Sequence, residues 1–152
     1  MRISTLGIGR LAGALAGILA AAAIASAEPT RSGHAVVAFR SPSGNVHCVI
    51  DATPGQTATA ACELRDYSGP APVKPADCEL DWVAGASLDA KGAVALFACQ
   101  GDTIQDPRSR SLEYGAAITL GGITCSSATT GITCKLGSGR GFLVSRALIR
   151  RL

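Results

Sequence analysis

The sequence predicts an all-β fold, a small disulfide-stapled sandwich or partly open barrel of short antiparallel strands. Three observations carry that expectation. From residue 35 onward, short apolar or β-branched runs recur about every ten residues, bounded by Gly, Pro, Asn and Ser. Residues 28–152 hold 14 Gly and all 7 Pro, a turn-rich composition. No apolar i, i+3, i+4 pattern of helical length follows residue 27.

The first 27 residues stand apart. Arg2 and Arg10 precede an apolar stretch from Leu11 to Ile24, and Ala25-Ser26-Ala27 fits the small-residue rule for a signal peptidase. The reading is a signal peptide over 1–27, cleaved after Ala27, with no membrane span afterwards. The apolar stretch is shorter than the roughly 20 residues a spanning helix needs. No Cys follows it to take a lipid, and the two Arg are not adjacent. Residues 28–34 read as a flexible lead and 35–152 as a single β-rich domain.

The elements follow in order. Ala35 to Phe39 and Val46 to Ile50 flank Ser41-Pro42-Ser43-Gly44-Asn45, a hairpin turn in which Pro fixes φ and Gly and Asn tolerate positive φ. After the turn Thr53-Pro54-Gly55-Gln56, a strand over Ala60 to Leu64 carries Cys62. Residues 65–77 contain Gly69, Pro70, Pro72 and Pro75, too Pro-rich for a sheet interior. Ser87 to Ala90 and Val94 to Cys99 flank Lys91-Gly92 as a second hairpin. Gln100 to Arg110 reads as a polar loop. Further strands are expected over Glu113 to Leu120, Ile123 to Ser126, Ile132 to Leu136 and Gly141 to Ser145. Ala147 to Leu152 forms a last strand or one helical turn.

Six cysteines, Cys48, Cys62, Cys78, Cys99, Cys125 and Cys134, all lie beyond the signal. An even count in a small exported domain reads as three disulfides, and six Cys permit about 15 pairings. Locality favours sequential pairs, because each pair then flanks a turn-rich segment: Cys48 with Cys62, Cys78 with Cys99, Cys125 with Cys134. The last pair sits in twin tetrapeptides, Gly122-Ile123-Thr124-Cys125 and Gly131-Ile132-Thr133-Cys134, joined by a polar loop. A zinc site would want close pairs such as Cys-x2-Cys, which the chain lacks. No metal and no cofactor is expected. With only six aromatics after residue 27, the core would lean on the staples.

Charge narrows the function classes. Without the signal the chain carries 12 basic and 11 acidic residues, which disfavours nucleic acid as a partner. Apolar residues are 54 of those 125, about 43%, which disfavours long disorder. Tyr114 to Leu152 holds Lys135, Arg140, Arg146, Arg150 and Arg151 and no acid. Those Arg either pair with the acidic middle of the chain or form a patch for anionic envelope polymers or a membrane surface. Asp77, Glu79 and Asp81 would share one face if they lay in a strand, but calcium-loop spacing is missing. Ser138-Gly139-Arg140-Gly141 reads as a tight turn. Trp82 is expected to be partly buried rather than a sugar platform. A hydrolase would have to use His47 or His34 with a carboxylate and a Ser, and no Gly-x-Ser-x-Gly elbow exists. His47 alternates out of the Val46, Cys48, Ile50 set and so faces the other side of its strand.

Several segments together resemble a known family. They are Phe39-Arg40-Ser41-Pro42-Ser43-Gly44-Asn45-Val46-His47-Cys48, Ala61-Cys62-Glu63-Leu64, Phe97-Ala98-Cys99-Gln100-Gly101-Asp102-Thr103 and Leu112-Glu113-Tyr114-Gly115. Two more, Thr130 to Cys134 and Gly139 to Ala147, complete the set. In order and spacing they are similar to a small exported actinobacterial family known only as a domain of unknown function. The resemblance implies an exported, Cys-paired domain and carries over no catalytic residue. It also makes His47 a poor candidate for shared chemistry, since a short residue often stands there in the family. Asn45, Asp102 and Thr103 have an evident turn role, whereas Arg146 does not.

The resulting expectation is a secreted or cell-envelope, disulfide-stabilised β domain that binds an envelope component or another protein rather than catalysing a reaction. Arg140, Arg146, Arg150 and Arg151 are its candidate binding residues. The alternatives are an envelope hydrolase and a small protease-inhibitor-like module, the latter using the Pro-rich 65–77 segment beside Cys78.

Overall fold

The computed structural model describes residues 33–152; the signal-peptide reading and most of the flexible lead fall outside them. Eleven strands make two open sheets with no helix among the described residues. Strands β1 (Ala35–Arg40), β2 (Val46–Ala52), β3 (Thr59–Leu64), β4 (Asp81–Asp89) and β5 (Val94–Gln100) form an antiparallel meander. The two-residue strand β6 (Arg110–Ser111) then lies parallel against β1. Strands β7 (Ala117–Leu120), β8 (Ile123–Ala128), β9 (Gly131–Leu136), β10 (Gly141–Ser145) and β11 (Leu148–Arg151) make a second antiparallel meander.

Period-two alternation decides which faces meet. Val46, Cys48 and Ile50 of β2 and Ala60, Cys62 and Leu64 of β3 point inward, with Phe39 of β1 and Leu88 of β4. Ile123 and Cys125 of β8, Ile132 and Cys134 of β9, and Phe142 and Val144 of β10 face them from the other sheet. The disulfides are Cys48–Cys62, Cys78–Cys99 and Cys125–Cys134. The first and third join register partners on adjacent antiparallel strands, with Cα atoms 4.1 and 4.0 Å apart. Such short separations belong to the non-hydrogen-bonded pairs of an antiparallel ladder, where side chains approach most closely. The two bridges face each other across the core, with Sγ of Cys62 3.9 Å from Sγ of Cys134.

Several expectations shift in detail. The fourth strand begins at Asp81, not Ser87, because Trp82 and Val83 pair with Cys99 and Ala98 before a bulge at Val83–Ala86. Asp77 lies in a turn closed by the Cys78 amide on the Pro75 carbonyl, so the acids 77, 79 and 81 form no strand row. Residues 113–116 turn instead of extending, with the Ala116 amide on the Glu113 carbonyl. The expected polar loop 100–110 ends in β6, which breaks the all-antiparallel expectation at one edge. Ala147 to Leu152 contributes a strand and not a helical turn.

Candidate functional site

Five chain segments converge on one open polar cleft of about 280 Å³. They are the β1–β2 turn, the exit of β3, the turn before β7, the β8–β9 turn and the β10–β11 turn. Each turn is built from its own residues. The Ser41 amide donates to the Val46 carbonyl at 2.8 Å and the Gly44 amide to the Ser41 carbonyl at 2.9 Å, with Gly44 at φ 69°. The Ser41 hydroxyl accepts from the Val46 amide at 3.1 Å and lies 3.0 Å from the Ser43 hydroxyl.

Asn45 links this turn to the next segment. Its side-chain amide donates to the Asp66 carbonyl at 3.1 Å, and its Oδ1 accepts from the Asp66 amide at 3.0 Å. The Arg65 amide donates to the Asn45 carbonyl at 2.9 Å. Asp66, so held, accepts on Oδ2 from Nη2 of Arg146 at 3.2 Å, with Nε of Arg65 3.8 Å from the same oxygen. The Ser68 amide in turn donates to the Arg146 carbonyl at 2.8 Å. The cleft therefore presents two guanidiniums against one carboxylate, with hydroxyls of Ser41, Ser43, Thr129, Ser145 and Tyr114 around them. Asp66 and both Arg side chains are more than half exposed, so their ion pairs contribute little to stability. Their consequence is a local net positive charge on pre-positioned donors.

The four predicted Arg do not gather on one surface. Arg146 lines this cleft. Arg140 and Arg151 line a separate groove of about 310 Å³ with Gly92 and Val94, and donate to those residues' carbonyls at 3.5 and 3.3 Å. Arg150 pairs in register with Leu143, one position on from Arg151 opposite Phe142, and so takes the other face of β11. Asp66, Arg65 and the clamping role of Asn45 escape sequence reading. The Asn45 contact spans 21 residues and the Arg146 contact 80, and no local pattern marks either.

His34 and His47 are placed differently from a catalytic base. Nε2 of His34 lies 2.9 Å from Oδ2 of Asp51, and Thr53 donates to Oδ1 of the same carboxylate at 2.8 Å. The carboxylate is thus central, and among the described residues no hydroxyl bonds the imidazole as a nucleophile must. The His34 hydrogen bond, then that from Thr53, holds the Asp51 carboxyl below its ordinary range.

His47 is buried on the sheet face turned away from the core. Its Nε2 donates to the Gly44 carbonyl at 3.2 Å, while Nδ1 is buried without a partner. Arg40, His47 and Glu63 are register neighbours across β1, β2 and β3. The 100–109 segment covers this row. Buried Glu63 accepts from Gln100, from the Thr103 hydroxyl at 2.6 Å and from the Ile104 amide at 3.1 Å. Nε of Arg40 donates to the Ser109 carbonyl at 3.1 Å. A buried carboxylate satisfied by three donors anchors a loop, and its acceptor capacity is largely spent there. Trp82, expected to be partly buried, is half-buried, stacks on Phe97 and donates through Nε1 to the Pro72 carbonyl at 3.2 Å.

No curated protein and no solved structure matches the chain. A family model does match, over residues 14–152, nearly the whole length and including every segment that meets at the cleft, and the chain therefore belongs to that family, one of unknown function (DUF6636).

Proposed function

We propose that this is an exported binding domain of the cell envelope or extracellular space, and that its ligand docks in the cleft held by Asp66 and Arg146. The observation that carries the reading is the convergence of two guanidiniums, one carboxylate and five hydroxyls from five chain segments onto one opening. That set suits a small hydroxyl-rich group bearing one anionic charge, such as a carboxylated sugar of an envelope polymer. Its carboxylate would take over Arg146 or Arg65, whose partner Asp66 cannot satisfy both forks. The volume, near the ~300 Å³ at which ligand pockets begin, suits a sugar-sized group. Three disulfides support an oxidising, extracytoplasmic setting. Arg140 and Arg151, which have no acid partner among the described residues, offer the same polymer a second cationic contact, and Arg150 adds exposed charge nearby in sequence.

Calorimetric titration with glucuronic-acid oligomers and with neutral glucose oligomers of equal length tests this. Binding of the charged series only, weakened by salt and reduced about tenfold or more by Arg146→Gln, is expected. Equal binding of both series, or an unchanged affinity in the variant, would overturn the assignment of the cleft.

A further inference from the structure

A second feature lies in the Pro-rich segment and is independent of the cleft. Residues 70–77 are all exposed, and Val73 is 91% exposed, the most exposed large apolar side chain of the described residues. An apolar side chain on a loose loop would need no explanation, but this loop is braced at both ends. The Tyr67 hydroxyl donates to the Pro70 carbonyl at 3.0 Å and Trp82 donates to the Pro72 carbonyl. On the far side, the Cys78 amide closes on the Pro75 carbonyl at 3.1 Å and Cys78 is bridged to Cys99. Three prolines fix φ at positions 70, 72 and 75.

Beneath the loop, Phe97 packs edge-on against Tyr67 and stacks on Trp82, with centroids 5.7 and 5.9 Å away. Phe97 holds φ at 58°, the only non-glycine residue with positive φ among the described residues. A bulky residue in that region is strained, and such strain persists where surrounding structure imposes it. Half of the molecule's six aromatics thus support this one loop.

We propose that the loop is a preformed docking segment for the substrate cleft of a protease with a small aliphatic specificity pocket, with Val73 as the side chain that enters it. The alternative reader of such a segment, an aromatic-lined polyproline groove, bonds to proline carbonyls. Here the Pro70 and Pro72 carbonyls are already taken by the chain's own Tyr67 and Trp82. The amides and carbonyls of Ala71, Val73, Lys74, Ala76 and Asp77 have no partner among the described residues, and of these five only Val73 carries a large apolar side chain. A backbone with free amides, its φ set by prolines on both sides, and one projecting aliphatic side chain suit a peptide cleft. Bracing on both sides removes most of the ordering cost on binding. If water adds across the Val73–Lys74 bond, hydroxyl to the Val73 carbonyl carbon and proton to the Lys74 nitrogen, no disulfide spans the break, and the two ends are held by the Trp82 bond to Pro72 and by the pairing of β3 with β4. The product stays in place instead of leaving.

The test is inhibition of three serine proteases by the oxidised protein. They are one of elastase type with a small aliphatic pocket, one of chymotrypsin type with a large apolar pocket and one of trypsin type with an acidic pocket. Competitive inhibition of the elastase type alone is expected. Val73→Ala should weaken it about tenfold or more, and Val73→Phe should move the preference to the chymotrypsin type. Inhibition of none of the three, rapid turnover of the loop as an ordinary substrate, or inhibition unchanged by Val73→Ala would each overturn the proposal. So would binding lost with Pro72→Ala yet kept with Val73→Ala, which would mark a proline reader.

Discussion

Asp66 and Glu63 are both carboxylates within one stretch of four residues, and the fold gives them opposite tasks. Asp66 is solvated and paired to Arg146, so Asp66→Asn should move the unfolding midpoint little, within ~0.5 kcal/mol by urea titration. The same substitution should change ligand affinity at the cleft, since Arg146 loses the group that aims it. Glu63 is buried and accepts from the Thr103 hydroxyl, the Ile104 amide and Gln100. Glu63→Gln turns one acceptor into a donor facing donors. We expect a loss of about 1–3 kcal/mol in urea unfolding and faster amide exchange at Ile104. Asp51 supplies a pH signature. Its hydrogen bonds to His34 and Thr53 depress its folded-state pKa. The stabilisation is therefore present above the unfolded-state value and is lost as pH falls through the folded one, in the acid range below about pH 4. Carboxyl NMR titration should give a midpoint below the ordinary aspartate value, and His34→Ala should raise it.

Among the elements, the hairpins explain why the turns can carry a site. Cys48–Cys62 ties β2 to β3 and Cys125–Cys134 ties β8 to β9, and the two bridges touch in the core. The loops they close, 14 and 9 residues in separation, correspond to about 3 kcal/mol each by chain entropy. Replacing Cys48 and Cys62 together by Ala should cost more than that, because removing the sulfurs also leaves a void beside Cys134. Urea unfolding of the Cys48/Cys62 double-Ala variant against the native protein checks it. Close approach of β9 and β10 is as demanding. A Cβ at Gly141 would lie 2.1 Å from the Cys134 carbonyl oxygen and 2.7 Å from Cα of Lys135. Gly141→Ala should therefore destabilise by at least ~1–3 kcal/mol, since backbone must move. Gly137→Ala, four positions earlier, meets open space at ordinary φ and should be neutral or stabilise by roughly 0.4–1 kcal/mol. Thermal unfolding of the pair separates packing from backbone entropy.

For the whole molecule, two consecutive meanders stack face to face, and the three staples compensate for a core short of large side chains. On the proposal of export, the secreted protein is expected to have an intact mass about 6 Da below its fully reduced form, to start at Glu28 and to offer no thiol to alkylation. A mass retaining Met1 or an alkylated Cys would contradict the exported scaffold. Legibility differed sharply along the chain. The β2, β3, β8, β9 and β10 runs were readable because apolar residues (Val, Ile, Leu, Ala, Phe and Cys) alternate with period two in adjacent residues. The start of β4 and the 113–116 turn were not. Asp81 and Trp82 are drawn into strand by pairing with β5, and Glu113 to Ala116 is bent by hydrogen bonds to its own turn and to β8.

By itself the sequence determined the all-β class, the hairpin turns and which side chains of each strand share a face, since all of these depend on residues a few positions apart. It also singled out Arg146, which the structure places in the β10–β11 turn. Only the tertiary structure decided that Arg146 meets Asp66 from 80 residues away, that Arg140 and Arg151 occupy a different groove, and that Glu63 is spent anchoring a loop. Those juxtapositions follow from how two sheets stack. The stacking is set by the summed shape of the inner faces, Phe39, Phe142 and the touching disulfides among them, and no single segment contains that sum.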